Sequence, residues 1–137
     1  MANQEFHRVS VVSENFDAEI LDALEKRNVS ISIKWSSGGP IRIHKINWKL
    51  NSGSWNMAIK YVVNSTSGNE LFNLGTFDLG ANLTIKVKIE PFANIQQAIC
   101  MVVQTNPGVI IEREPRLGLK SLTNGELWNI DLSADIK

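Results

Sequence analysis

The sequence predicts one mainly β domain over residues 1–137, an antiparallel β-sandwich or jelly roll of about eight strands with one N-terminal amphipathic helix. Three observations predict it. Apolar residues alternate with a period of two through most segments after residue 28. These segments are short and bounded by clusters of Gly, Asn, Ser and Pro. Only one stretch, near the amino terminus, has a helical period. At 137 residues, 43% hydrophobic and 20% charged, the chain is long enough to bury a core without disulfides or a metal.

The elements follow in order. Phe6 to Val12 is a candidate first strand. In the stretch from Phe16 to Asn28, Phe16, Ile20 and Leu24 recur every four residues, and Leu21 and Ala23 widen the apolar face. Asn15 is placed to cap this helix, Asp17 and Glu19 favour its positive end, Lys26 and Arg27 its negative end, and Asn28 suits the residue that stops it. From Val29 the period becomes two. Val29, Ile31, Ile33 and Trp35 alternate with Ser30, Ser32 and Lys34, the pattern of a strand buried on one face. After the turn SSGGP, Ile41 and Ile43 have one parity and Ile46, Trp48 and Leu50 the other. The switch requires either a bulge near His44 and Lys45 or burial of both faces. Trp55, Met57, Ile59, Tyr61 and Val63 then alternate as the return strand of a hairpin spanning Ile41 to Val63.

Leu71 to Leu79 is a weaker strand, interrupted by Gly75. Leu83, Ile85, Val87 and Ile89 alternate with Thr84, Lys86, Lys88 and Glu90 until Pro91 ends the ladder. Gln97 to Gln104 reads as a nearly continuous apolar strand, Val109 to Arg113 returns after the turn TNPG, and Trp128, Ile130 and Leu132 close the chain. Three N-x-S/T sequons begin at Asn28, Asn64 and Asn82 and read as turn chemistry, because no secretory signal precedes them.

Formal charge sums to zero but is unevenly distributed. Residues 1–25 carry six acids against Arg8, residues 26–69 carry seven bases and no acid, and residues 70–137 carry eight acids and six bases. Such asymmetry points to an anionic partner unless folding sets the acidic block against the basic one. No run approaches the roughly 18 apolar residues of a membrane-spanning helix. Together with the missing signal, this predicts a cytoplasmic protein, free or associated with a virion or membrane surface.

Catalytic chemistry has little to work with. Cys100 stands alone inside the apolar run AICMVV and reads as a buried structural thiol, and His7 and His44 lie in separate segments without a second ligand, so no metal site or cofactor is predicted. Glu112 and Glu114 would project from one face of a strand at roughly 7 Å. Arg113 and Arg116 beside them make a salt-bridge cluster the simpler expectation than an acid–base pair, and no phosphate loop, nucleophile elbow or H-E-x-x-H motif is present. The chain is predicted not to be an enzyme.

Binding chemistry has more. Lys34, Lys45, Lys49, Lys60, Lys86 and Lys88 are the candidate residues for nucleic acid or another anion. Lys34, Lys60, Lys86 and Lys88 occupy outward parities and would form one ridge if their strands were neighbours. The same outward lysines also serve ordinary solubility and edge protection. A second surface is the loop set WSSGGP, NSGSW, NSTSGN and TNPG, where Trp35 and Trp55 could stack on a sugar ring or enter a lipid interface, as in lectin-like or toxin-like sandwiches.

The segment from Leu71 to Val103 followed by PRLGLK resembles the core of plant-virus movement proteins of the tobamovirus type, a lineage related to viral jelly-roll capsids. The features that carry it are Leu74-Gly75, the lysine-bearing strand ending at Pro91, the approach from Ala93 to Gln97, and Leu117-Gly118-Leu119. The resemblance implies a viral β-sandwich that binds single-stranded nucleic acid and itself, in contact with membranes. The sequence as a whole therefore predicts a binding and self-assembly protein, a viral structural, matrix-like or movement-like homo-oligomer. The alternative is a glycan- or membrane-binding module.

Overall fold

The computed structural model describes residues 25–137 and contains ten strands there: β1 (Lys26–Trp35), β2 (Ile41–Leu50), β3 (Asn56–Met57), β4 (Val63–Ser65), β5 (Asn69–Asp78), β6 (Asn82–Pro91), β7 (Ile95–Gln104), β8 (Val109–Glu114), β9 (Lys120–Leu122) and β10 (Trp128–Asp135). All pairings are antiparallel. The first sheet runs β5-β1-β7-β8, with β9 also on β7, and the second runs β10-β6-β2-β3, with β4 also on β2.

The two sheets enclose one core because β1, β2 and β6 each turn a row of apolar residues inward, and β7 is buried at consecutive positions. Val29, Ile31 and Ile33 of β1, Ile41, Ile43 and Ile46 of β2, and Leu83, Ile85, Val87 and Ile89 of β6 are at most 2% exposed and belong to one apolar cluster. Burying each such side chain stabilises the fold by about 1.5–3 kcal/mol, the main term against chain entropy. Trp48 of the second sheet meets Phe77 of the first edge-on, ring centroids 4.9 Å apart. The reading of β7 as almost wholly apolar missed a polar inclusion: Gln104 is fully buried. Its carboxamide accepts the Lys137 N–H at 3.0 Å and donates to the Lys137 carbonyl, which ties the chain end to the core.

The predicted bulge in β2 is present. Register shifts between Ile43 and Lys45 opposite β6, so Ile43 and Ile46 both point inward although three residues apart. Gly75 interrupts β5 as expected, with φ +130° opposite the irregularity in β1. In the SSGGP turn, Gly38 has φ +56°, and a Cβ there would lie 2.8 Å from the Thr66 carbonyl oxygen, so only glycine fits.

Two expectations require correction, and one strand is new. The helix and the strand from Phe6 to Val12 fall largely outside the described residues, but Lys26, Arg27 and Asn28, assigned to the last helical turn, are the start of β1 and pair with Asp78, Phe77 and Thr76. Ladder pairing overrides their local helical preference. The return strand from Trp55 to Val63 is broken into β3 and β4, and Met57 and Tyr61 are exposed instead of lining the core. The ladder on β2 skips the bulge, leaving the segment between without a regular partner. Strand β9 was not anticipated. It is three residues long, too short for a period to register.

Candidate anion-binding face

The outer face of the second sheet collects the basic residues. On β6, Lys86 and Lys88 lie between inward Ile85, Val87 and Ile89 and therefore face solvent. On β2 the bulge turns both His44 and Lys45 to that side, and beyond it Asn47 and Lys49 follow. Lys45 is the direct cross-strand partner of Lys88, and Asn47 that of Lys86. Directly opposed residues sit about 4.5–5.5 Å apart at Cα, and like charges so placed destabilise a sheet.

Compensation is present at one end of this face and missing at the other. Towards Pro91, His44 Nε2 and Glu90 Oε1 are 2.8 Å apart, and Arg42 donates to Asn64 Oδ1 at 2.9 Å with its guanidinium 5.0 Å from the Phe92 ring centroid. By contrast, Lys45, Lys49, Lys86 and Lys88 have no carboxylate within ion-pair distance among the described residues. Across β10 their neighbours are Asn129, opposite Lys88, and exposed Asp131, opposite Lys86. Trp55 closes the cluster. The Lys49 and Lys86 ammonium groups lie 4.9 and 5.2 Å from its ring centroid, each contact contributing about 0.5–1 kcal/mol at an exposed site.

The other candidates are dispersed. Lys34 lies on the outer face of the opposite sheet, so the single ridge predicted to join it to Lys86 and Lys88 does not form. There it borders a depression of about 370 Å³ lined mainly by Ser32, Asn69, Leu71, Met101, Val103 and Ile110. Lys60 is exposed between β3 and β4, on the edge of the second sheet. Trp35 is a core residue, 6% exposed, whose indole donates to the Gly39 carbonyl at 2.6 Å, so it is not a ligand-loop aromatic. The loop set also divides. WSSGGP and NSTSGN meet at one end of the sandwich, where the backbone N–H of Trp35 donates to the Gly68 carbonyl at 3.0 Å, while NSGSW and TNPG lie at the other end. What unites Lys45 with Lys88 is the bulge, which was legible in the parity switch. What brings Trp55 to Lys86 is the sheet order, which was not.

Glu112 and Glu114 form the expected salt-bridge cluster, with Arg116 Nη2 3.6 Å from Glu112 and Arg116 Nε 3.8 Å from Glu114. Arg113 donates to the Gly118 carbonyl at 3.1 Å. Cys100 is buried in β7, and burial followed by the nearby Glu114 charge pushes its thiol pKa up to about 12. Only the thiolate is nucleophilic. Folded protein at pH 8 should therefore resist iodoacetamide, with Cys100 labelled quantitatively after denaturation in guanidinium; rapid labelling of the native state would contradict its burial. Among the described residues no three His, Cys, Asp or Glu side chains converge as a metal ion requires, and no helix is long and apolar enough to cross a membrane.

Comparison with known proteins gives no family. No family model, curated protein or solved structure matches the chain.

Proposed function

We propose that this protein is a non-enzymatic binding and assembly module that attaches to phosphodiester-bearing partners, nucleic acid or anionic membrane, through the outer face of its second sheet. The role is that of a viral structural, matrix-like or movement-like component. The observation that carries the reading is the direct opposition of Lys45 and Lys88, neither with a carboxylate within ion-pair distance among the described residues. A phosphate oxygen between them would relieve the repulsion and satisfy both ammonium groups at once. Lys49 and Lys86 extend the cation row, and Trp55 adds a π-face beside it.

Two further observations support the reading. The carboxylate pair faces Arg116 and the thiol is buried, the arrangement of a surface ion-pair cluster and a core cysteine. Leu71 and Ile110, both more than half exposed on the outer face of the first sheet, provide apolar surface that assembly would cover.

The test is binding of fluorescent oligouridylate and of phosphatidylserine vesicles as salt is raised. Four lysine contacts on a single strand predict a log–log slope of about −3, so affinity falls by more than tenfold between about 50 and 200 mM salt. Salt-independent binding, or none of either ligand at the lower salt, refutes the proposal.

A further inference from the structure

The proposal for the phosphodiester face can be carried to one partner, and this step rests on that reading. We infer that the partner is an anionic bilayer and that residues 55–62 enter its headgroup region beside the lysines. The segment Trp-Asn-Met-Ala-Ile-Lys-Tyr-Val is the broken return strand. Within it Trp55 is 42%, Met57 66%, Tyr61 83% and Val62 50% exposed. Four large apolar or aromatic side chains exposed within eight residues are a local concentration, whereas scattered single exposures would need no explanation.

Position favours a bilayer over nucleic acid. Met57 is the cross-strand partner of Asn47, the outward residue between Lys45 and Lys49, and Trp55 lies against Lys49 and Lys86. Trp55 and Met57 therefore share one surface with these lysines, which have no ion-pair partner among the described residues, and Tyr61 and Val62 follow in the same segment. A single strand of nucleic acid would use the lysines and the Trp55 ring, but it offers nothing to the thioether of Met57 or the methyl groups of Val62. A bilayer interface accepts the whole set. Lysine heads reach lipid phosphates, indole and phenol rings settle at headgroup level, and aliphatic groups go just below. Each lysine near an anionic leaflet strengthens attachment about fivefold. The irregular backbone between β3 and β4 adds no cost at this depth, since water still reaches its polar groups.

The experiment compares co-sedimentation with vesicles of phosphatidylcholine, with and without phosphatidylserine, against binding to oligouridylate. The proteins are wild type, Trp55→Phe and the double variant Met57→Ser/Tyr61→Ser, whose altered side chains are exposed and leave the core intact. Wild type should bind only the serine-containing vesicles, with a blue shift of tryptophan emission that Trp55→Phe abolishes. The double variant should bind these vesicles roughly tenfold more weakly and oligouridylate as wild type does. Equal vesicle binding by wild type and the double variant, or no blue shift in wild type, overturns the inference. Tight binding to oligouridylate without vesicle binding also overturns it but leaves the phosphodiester reading standing. Failure to bind either ligand overturns both.

Discussion

Lys45→Glu should make the protein slightly more stable and a much poorer phosphodiester binder. The substitution converts a like-charge cross-strand pair into an opposite-charge pair with Lys88. Cross-strand pairs are worth about 0.2–1 kcal/mol, so stability should rise by roughly 0.5 kcal/mol at low salt. Binding should fall at least about tenfold at low salt, because one phosphate contact is lost and Lys88 is occupied by the new carboxylate. Urea unfolding and salt-titrated binding measure the two quantities. The opposite signs matter: a residue retained only for the fold would not lower stability while present, and one that merely solubilises the surface would not change affinity this much. Equal or lower stability in Lys45→Glu would remove the argument from repulsion.

Ile85→Ala should lose about 2–5 kcal/mol of stability, a large part of the 5–15 kcal/mol that domains of this size possess. Ile85 is fully buried at the centre of the second sheet, between Trp48 of β2 and Leu132 of β10, and the cavity left by its truncation opens onto both. Ile85→Val should cost only about 0.5–1.5 kcal/mol. Neighbouring Lys86 points the other way, so well below the melting temperature Ile85→Val should bind phosphodiesters as wild type does. Urea denaturation and the same binding titration check both statements, and a weaker-binding Ile85→Val would mean that the sheet face and the core are not independent.

Much of this architecture was legible because two-residue alternation is a direct record of which side is buried. Val29 to Trp35, Leu83 to Ile89 and Trp128 to Leu132 declared their inner faces, and the parity switch after Ile43 declared the bulge that puts Lys45 against Lys88. Alternation does not record which strands are neighbours. The pairing of β6 with β2, and the placement of β1 in the other sheet, decide that Lys86 and Lys88 join Lys45 and Lys49 while Lys34 does not. Alternation misled in part of the segment from Trp55 to Val63, where Trp55, Met57 and Tyr61 face solvent while Ile59 and Val63 pack against the core. An apolar pattern meant for a core and one meant for another surface look the same in one dimension. Gln104 was missed for a related reason: a buried carboxamide needs a partner distant in sequence, here Lys137.

Lys45 and Lys88 lie directly opposed with no ion-pair partner among the described residues, the arrangement proposed to receive a phosphate. The most direct measurement is the melting temperature of wild type and of Lys45→Gln/Lys88→Gln against inorganic polyphosphate at constant ionic strength. A ligand that binds only the native state at about a hundredfold above Kd should raise the wild-type melting temperature by about 5–10 °C. The double variant should start at or above the wild-type value and respond little. A flat wild-type curve, or an equal rise in both proteins, would contradict the claim.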